Sequence, residues 1–312
     1  MRTTRWVAVV GAMALALSAA ACGGDDGGDE GGSGSSNFAA GSTMARLNEA
    51  QKIRVGTKFD QPGFGLKGLS GKPEGFDVEI AKLVAKALDI PDDKIEYTET
   101  PSTVREQVIQ QDKVDIVVAT YTINDKRKQV IDFAGPYYIA GQSILVKTDN
   151  TDIAGPYYIA GQSILVKADD SSITGPDSFK DGTKKVCSVT NSTPASNIEQ
   201  YLGDKAKQLV LFDIYQKCVD ALKGGQVDAV TTDNVILSGF ISTNEGQFKL
   251  AGKTFTEEPY GIGLKKGDTA FKNFINDTLE KAFKDGTYEK IWKETAGKFD
   301  TSELKTPTID RS

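Results

Sequence analysis

The chain has 312 residues, of which 39% are hydrophobic and 26% charged, and its formal net charge is −6. That is enough apolar material for one large or two medium-sized domains, and the acidic balance argues against a nucleic-acid partner, which would require a basic face. The chain contains no histidine, which excludes His-based triads and imidazole metal sites. Metal-spaced cysteines and a phosphate-binding glycine loop are also missing, so we expect no metal and no cofactor.

The N-terminus predicts export from the cytoplasm. Arg2 and Arg5 are followed by the apolar run WVAVVGAMALALSAAAC, which ends in small residues. A basic region, a short apolar stretch and small residues are typical of a signal peptide, which we assign to residues 1–21. The apolar run is too short for a comfortable bilayer span, and no later segment of the sequence is long enough for one.

Cys22 directly follows three alanines and resembles the cysteine of a bacterial lipobox, which is lipidated and becomes the new N-terminus. Plain signal cleavage after the same alanines is the alternative, because the usual leucine three residues before the cysteine is missing and Leu17 is five before. The next stretch, GGDDGGDEGGSGSS, has nothing apolar to bury and predicts a flexible tether within residues 22–44. We therefore expect a membrane contact through the lipid anchor only.

From about residue 45 the chain alternates short apolar strands with helical patterns, which favours α/β layers with mostly parallel sheets. The predicted strands are KIRVGTKF, KIEYTET, KVDIVVAT, KKVCSV, QLVLF, VDAVTT and YGIGLKKG. The predicted helices are FDVEIAKLVAKALDI, TVREQVIQQ, ASNIEQYLGD, DIYQKCVDALKGG, NVILSGFI, TAFKNFINDTLEKAFKDG and TYEKIWKETAG. The order repeats itself, so we expect two similar lobes that meet at a crevice, with ligand at the C-terminal ends of the strands.

Two cysteines fall in the second half. Cys187 lies in a predicted strand and Cys218 in a predicted helix. A disulfide between them suits an oxidising compartment, because free thiols there are readily oxidised. Two separate buried thiols remain the alternative, since spacing alone does not prove a bridge.

Polar residues follow the strands of the first half. Thr120 and Thr122 come where KVDIVVAT ends, Arg127 follows shortly after, and Lys58 ends the first strand. A guanidinium can hold a carboxylate through two parallel hydrogen bonds. Within a DKRK run, an arginine can also be a solvated surface charge, and its place after a buried strand favours the binding role.

The second half offers complementary groups. Ser192 and Thr193 follow a strand and begin a helix, where hydroxyls and backbone N–H groups can receive an anion or can simply cap the helix. Asp233 ends the strand VDAVTT and could pair with an ammonium group. Together the two halves contain groups suited to a zwitterion.

Four segments carry a resemblance to a known family: GFDVEIA, ATYTINDKRKQVIDFAGPYY, GGQVDAVTTD and EPYGIGLKKGD. Together they resemble the type II periplasmic-binding-protein-like amino-acid receptors of ABC importers. With VGTKFDQPGFGLKG, KVCSVT and Cys22, the chain is most similar to the glutamate-binding lipoproteins of Gram-positive bacteria. The resemblance covers roughly residues 45–300. It implies two Rossmann-like α/β lobes that are joined by two hinge crossings and close on the ligand.

The resemblance also implies roles for the site residues. Arg127 and Thr122, with the region of Ser192 and Thr193, would hold an α-carboxylate. Asp233 and the carbonyl of Thr120 would receive the α-ammonium group. Lys58 falls where receptors for basic amino acids carry an acidic residue, so it would favour an acidic ligand. Arg127 and Lys58 against Asp233 leave a charge of +1, which matches glutamate or aspartate.

The leading hypothesis is therefore a monomeric, lipid-anchored receptor that binds glutamate, with aspartate as a further candidate, and delivers it to an ABC permease and its ATPase. Glutamine, or another neutral polar amino acid, is an alternative ligand. An enzyme on the same scaffold, such as a dehydratase or a peptidoglycan lyase, would need a spare carboxylate or amine beside the reacting bond, and none is evident. A sensing domain of a larger receptor would need a membrane span or a fused effector.

The resemblance and the composition divide the chain into a signal peptide (1–21), the lipidated cysteine and tether (22–44), the first part of lobe 1 (45–138), a hinge crossing (139–162), lobe 2 (163–255), the second part of lobe 1 (256–303) and a tail (304–312).

The region of the hinge crossing contains a sequence repeat, since AGPYYIAGQSILVK occurs at residues 134–147 and again at 154–167. A single perfect repeat carries no new chemistry, so we interpret it as a tandem duplication rather than an extra hinge element. Only one copy is needed, and either copy could fill the hinge while the other loops out.

Overall fold

The computed structural model describes residues 38–141, 145–146, 162–300 and 304–312. The predicted signal peptide, Cys22 and most of the tether lie outside the described residues. The strands are β1 (Ile53–Thr57), β2 (Asp60–Gln61), β3 (Gly65–Lys67), β4 (Pro73–Glu74), β5 (Ile95–Glu99), β6 (Ile116–Val117), β7 (Asp132–Gly141), β8 (Leu145–Val146), β9 (Gln162–Lys167), β10 (Val186–Val189), β11 (Leu209–Phe212), β12 (Ala229–Asp233), β13 (Phe248–Leu250) and β14 (Glu257–Leu264). The α-helices are α1 (Thr43–Ala50), α2 (Phe76–Ala87), α3 (Arg105–Gln110), α4 (Asp125–Lys128), α5 (Thr193–Ile198), α6 (Lys205–Gln208), α7 (Tyr215–Lys223), α8 (Asn234–Ser242), α9 (Thr269–Lys284) and α10 (Thr287–Glu294). Short 3-10 helices span Asp92–Lys94, Pro176–Phe179, Glu199–Tyr201 and Ala296–Lys298.

The first lobe is built on a sheet with the strand order β5-β1-β6-β14-β7. Strand β1 runs parallel to β5 and β6, whereas β14 runs antiparallel to β6 and β7. Helix α2 buries Phe76, Ile80 and Val84, which recur four residues apart and so form one apolar face. A small sheet of β2, β3 and β4 lies between β1 and α2 in the chain.

The second lobe has the strand order β11-β10-β12-β9-β13-β8. Strand β10 is parallel to β11 and β12, and β9 is antiparallel to β12 and β13. The prediction of mostly parallel sheets was wrong, because both sheets are mixed. The antiparallel members include β9, which enters the second lobe from the crossing, and β14, which returns to the first.

The duplicated segment is shared between the lobes. Its first copy supplies β7, which pairs with β14 from Asp132↔Leu264 to Gly141↔Glu257. Its second copy supplies β9, from Gln162 to Lys167, in the other sheet. The first copy also supplies β8, which pairs with β13 and β9 in the second-lobe sheet, so within the described residues the first copy contributes to both sheets and the second copy to one. The predicted looping-out of a whole copy falls largely on residues 147–161, which lie outside the described residues.

The other predicted strands and helices are present, most with boundaries that differ by a few residues, although the strand predicted at KVDIVVAT is only the two residues of β6 and the helix predicted at ASNIEQYLGD ends in a 3-10 turn. The sequence did not indicate α1, the small sheet or β13, which are short or weakly periodic. A disulfide joins Cys187 of β10 to Cys218 of α7, with their Cα atoms 5.5 Å apart. None of the described helices is long and apolar enough to cross a bilayer.

Aromatic rings pack where the crossing strands meet the C-terminal helices. Tyr138 of β7 stacks on Trp292 of α10 with ring centroids 4.9 Å apart. Phe64 and Tyr260 contact the same tyrosine ring edge-on or at a tilt. This cluster packs the crossing strands against the core of the first lobe.

Candidate functional site

The two lobes meet at a small, nearly closed cavity of about 10 Å³. Its lining is mainly polar and comes from both lobes: Gln61, Ser102, Arg105, Thr120, Thr122, Ser192, Thr193, Pro194, Tyr215, Thr232, Asp233 and Ile236. The lobes touch across it, since the Thr193 hydroxyl donates to the Thr122 hydroxyl at 3.1 Å. The described structure is thus in a closed arrangement.

Five of the seven residues predicted to bind ligand line this cavity: Thr120, Thr122, Ser192, Thr193 and Asp233. The other two, Lys58 and Arg127, lie directly behind the lining. Lys58 Nζ donates to Ser102 Oγ at 3.0 Å, and Arg127 Nη1 donates to the Thr122 carbonyl at 2.6 Å.

Thr120 occupies a strained backbone position just after β6. Its φ is +45°, which is uncommon for a β-branched residue. Its N–H donates to Asp77 Oδ2 at 2.7 Å, and Asp77 Oδ1 accepts from the Tyr137 hydroxyl at 2.7 Å. Burial raises the pKa of Asp77 to about 6, although both hydrogen bonds favour its ionised form. Asp77 therefore fixes the turn that carries Thr120 into the cavity.

Two arginines flank the ring of Tyr121. The Arg105 guanidinium lies 4.1 Å from the ring centroid and that of Arg127 lies 5.0 Å away. Arg105 Nη1 donates to the Ala119 carbonyl at 3.0 Å, and its buried Nε has no hydrogen-bond partner among the described residues. Arg127 Nη2 reaches across the cleft to the Asn191 carbonyl at 3.2 Å.

The charges around Arg127 are only partly balanced. Its Nε lies 3.3 Å from a carboxylate oxygen of Glu106. Burial, and then the positive charge of Arg105, lower the pKa of Arg127 to about 10. The guanidinium stays charged near neutral pH, so this side of the cleft is strongly electropositive.

Lys58 is buried in the same electropositive region, with 2% of its surface exposed. Burial, and then the nearby charge of Arg105, lower its pKa to about 7. An anion bound beside Lys58 would oppose both effects and favour the charged ammonium form.

Asp233 lies at the end of β12, on the second-lobe side of the cavity. The Tyr260 hydroxyl of β14 donates to Asp233 Oδ2, while Oδ1 is buried and has no partner among the described residues. Burial, and then the negative charge of Glu258, raise the pKa of Asp233 well above its usual range. A cationic group placed next to Oδ1 would stabilise the carboxylate form.

Ser192 is the N-cap of α5, and its hydroxyl accepts from the Ala195 N–H at 3.1 Å. The capping role considered from the sequence is therefore present. Thr193 does not cap the helix through its hydroxyl, which instead donates to Thr122 across the cleft. A cap and an anion contact use compatible geometry at this position.

Ser102, Arg105, Tyr215 and Thr232 were missed from the sequence. Ser102 and Arg105 follow β5, a parallel strand next to β1. Ligands bind at the C-terminal ends of parallel strands, which is the rule that indicated Lys58 after β1 and Thr120 after β6. The same rule applies to the segment after β5 and could have identified Ser102 and Arg105. Arg105 also corrects the predicted charge sum, because it adds a third buried cation to Lys58 and Arg127.

Comparison with known proteins agrees with this architecture. Residues 53–298 match the profile of the bacterial extracellular solute-binding proteins, family 3. The chain is 38% identical over 306 residues to the glutamate-binding protein GluB of Corynebacterium glutamicum, covering 94% of this chain and 91% of GluB. It is 37% identical to the ABC transporter glutamine-binding protein GlnH of Bacillus subtilis, covering 80% and 83% of the two chains.

Among solved structures, an ancestral arginine-binding protein bound to glutamine is 34% identical, with a TM-score of 0.67, covering 78% of this chain and 97% of that one. The chain therefore belongs to the bacterial extracellular solute-binding proteins, family 3. These relatives are binding proteins by name, so the chain groups with receptors and not with enzymes. Membership of this family also implies that it acts outside the cytoplasm.

Proposed function

We propose that this protein is the glutamate receptor of an ABC importer. The observation that carries the proposal is the convergence of three buried cations, Lys58, Arg105 and Arg127, on a cavity that has Asp233 on its other side. Glutamate carries two carboxylates and one ammonium group. Each charge of the ligand would therefore face a group of opposite sign, the carboxylates facing the cations and the ammonium group facing Asp233.

Each group of the ligand has a proposed partner. Arg127 and the hydroxyls of Thr122 and Thr193 would hold the α-carboxylate, with Ser192 close by. Asp233 Oδ1 and the Thr120 carbonyl would receive the ammonium group. The side-chain carboxylate would face the remaining cations, Lys58 and Arg105, and the hydroxyl of Ser102.

The relatives support this assignment. GluB, which is 38% identical over 94% of this chain, is a glutamate-binding protein by name. A bound carboxylate would favour the charged form of Lys58, whose pKa burial lowers to about 7, and a bound ammonium group would favour the carboxylate form of Asp233, whose pKa burial raises.

Isothermal titration calorimetry with glutamate, aspartate and glutamine tests the proposal. Glutamate should bind most tightly, and Lys58→Ala and Arg127→Ala should each weaken binding by about 30-fold or more, because a buried ion pair would lose one partner. Lys94→Ala, at an exposed lysine of the first lobe, should leave binding unchanged. Undiminished glutamate binding by the first two variants would refute the site assignment.

Glutamine is a second candidate ligand, and the lowered pKa of Lys58 favours it. A pKa near 7 allows Lys58 to be neutral, and a neutral amine can share a hydrogen bond with a side-chain amide. The GlnH relative is named as a glutamine-binding protein. Tighter binding of glutamine than of glutamate at pH 7 would select this alternative.

We further propose that Cys22 is lipidated and anchors the receptor, which works as a monomer with a permease and an ATPase. Metabolic labelling with a fatty-acid analogue should label the wild-type protein but not Cys22→Ala. Labelling of neither protein would favour plain signal cleavage. Glutamate-dependent stimulation of the ATPase by the purified receptor, in vesicles containing a candidate amino-acid permease and its ATPase, tests the partner assignment.

A further inference from the structure

Asp60, in the first lobe, caps a helix of the second lobe. Its Oδ2 accepts the backbone N–H of Tyr215 at 2.8 Å and that of Gln216 at 3.4 Å. These are the first two residues of α7, a nine-residue helix packed on the sheet of the second lobe. Asp60 is 8% exposed and does not line the cavity.

Helix α7 has no cap of its own. Its N-cap residue is Ile214, which forms no side-chain cap hydrogen bond. By contrast, α1, α5 and α9 are capped by Ser42, Ser192 and Asp268, each adjacent in sequence to its own helix. The first N–H groups of a helix need acceptors, and a carboxylate there also interacts favourably with the helix dipole.

The segment that contains Asp60 also approaches the second lobe at Pro62. A Cβ atom built on Gly239 of α8 would lie 2.3 Å from the carbonyl oxygen of Pro62. Only glycine at this position allows the backbone of the loop to pack against α8. The segment after β1 thus meets two helices of the other lobe, one through a charge and one through backbone contact.

We propose that Asp60 is a closure latch: it completes the N-terminus of α7 when the lobes are together and leaves it uncapped when they separate. Asp60 therefore sets the open–closed equilibrium, and with it the ligand release rate, without touching the ligand. A contact made only in one state shifts the population toward that state. The use of glutamate as the ligand rests on the proposed function.

Stopped-flow binding and small-angle scattering test the latch. In Asp60→Ala, glutamate dissociation should be about tenfold faster, with the association rate within about twofold of wild type, since the lost bond is charge-assisted. Asp60→Asn keeps an acceptor and should show an intermediate rate. Asp60 also lies close enough to Lys58 to raise the pKa of Lys58, so losing the Asp60 charge could act through Lys58. Equal dissociation rates in Asp60→Ala and Asp60→Asn would mean that only the charge of Asp60 matters, and would overturn the latch.

Two further variants separate closure from folding. Asp268→Asn alters a helix cap within the first lobe, where the Asp268 carboxylate accepts a hydrogen bond from the Phe271 N–H at 3.0 Å. This variant should lower the melting temperature but leave glutamate dissociation unchanged. Gly239→Ala favours the helix locally but blocks the loop, and it should speed dissociation as Asp60→Ala does. Wild-type dissociation rates in Asp60→Ala and Gly239→Ala would overturn the proposal.

Small-angle scattering of the ligand-free samples tests the latch independently of the proposal that glutamate is the ligand. Asp60→Ala and Gly239→Ala should have a larger radius of gyration than wild type and Asp268→Asn, whatever the ligand is. If this holds while glutamate fails to bind the wild-type protein, the ligand assignment is wrong and the latch stands. An unchanged radius together with normal glutamate binding by the wild type would remove the latch and leave the receptor function.

Discussion

The hydroxyl of Tyr260 donates a hydrogen bond to the carboxylate of Asp233. Tyr260 belongs to β14 of the first sheet and Asp233 to β12 of the second, so the bond joins the crossing strand to the proposed ammonium-binding group. The bond favours the ionised form of Asp233, against burial and the charge of Glu258, which raise its pKa.

Tyr260→Phe should therefore weaken glutamate binding by about tenfold at pH 7, since it removes a hydrogen bond to a charged group. The pKa of Asp233 would rise further, so binding should decline at a higher pH than in wild type as the solution is acidified. Calorimetry between pH 5 and 8 measures both effects. Tyr288→Phe is the matched control, because the buried Tyr288 hydroxyl has no partner among the described residues. Identical pH profiles for Tyr260→Phe and wild type would contradict the prediction.

Lys58 predicts that glutamate binding takes up a proton. Its pKa is lowered to about 7 in the closed structure, and a bound carboxylate would raise it again. The protonated form then binds more tightly, so affinity should fall as the pH rises above about 7. Calorimetry at pH 8 in buffers of different ionisation enthalpy should detect the uptake. Lys58→Arg stays charged across this range and should remove the effect, whereas persistent uptake in that variant would assign it to another group.

Arg105 should distinguish acidic from neutral ligands. We expect Arg105→Met to weaken glutamate binding by about 30-fold or more and glutamine binding much less, because only glutamate would place a second carboxylate beside it. Titrations with both amino acids measure the ratio. The control is Arg54→Met, which breaks an ion pair of 2.9 Å with Asp115 outside the cavity. An equal loss for both ligands would indicate that Arg105 supports the fold and not specificity.

Deleting residues 142–161 should preserve or improve glutamate affinity and thermal stability. The deletion joins Gly141 of β7 to Gln162 of β9, which restores one copy of AGPYYIAGQSILVK. Deleting residues 135–154 yields the same polypeptide, so the outcome does not depend on which copy is removed. Removing a twenty-residue insertion changes closure entropy only modestly. Calorimetry and thermal melting compare the two proteins, and a clear loss of binding would mean that the insertion serves the hinge.

The disulfide should contribute about 4 kcal/mol to the stability of the second lobe, given the sequence separation of 31 between Cys187 and Cys218. Denaturant unfolding of a variant with both cysteines replaced by serine measures this contribution. Unchanged stability would indicate that the bridge is not formed in solution.

Much of the fold could be predicted from the sequence, because hydrophobic periodicity reports burial directly. Helix α2 and strand β12 carry clear patterns, and both lie where we expected them. Strands of two or three residues, such as β2 and β13, are too short for a period to be visible. The sheets were predicted as mostly parallel because a strand pattern does not report the direction of its neighbours.

The candidate site could be predicted in part by position along the strands. Thr120, Thr122 and Asp233 follow parallel strands and line the cavity, as that rule indicates. Arg105 follows a parallel strand as that rule requires, but it was overlooked because it lies in a helix pattern, where charged residues usually face solvent. Asp60 could not be found at all, since its partner is a backbone N–H 155 residues away and nothing in the sequence shows that α7 needs a cap from the other lobe.

The stacking of Tyr138 on Trp292 gives the protein an intrinsic optical probe. The chain has two tryptophans, and removal of the predicted signal peptide takes away Trp6. The remaining indole is buried against a crossing strand, where its emission responds to rearrangement of the ring beside it. If closure shifts β7 against α10, we expect the emission of Trp292 to change, and the fluorescence of the unlabelled protein would then follow lobe motion in real time.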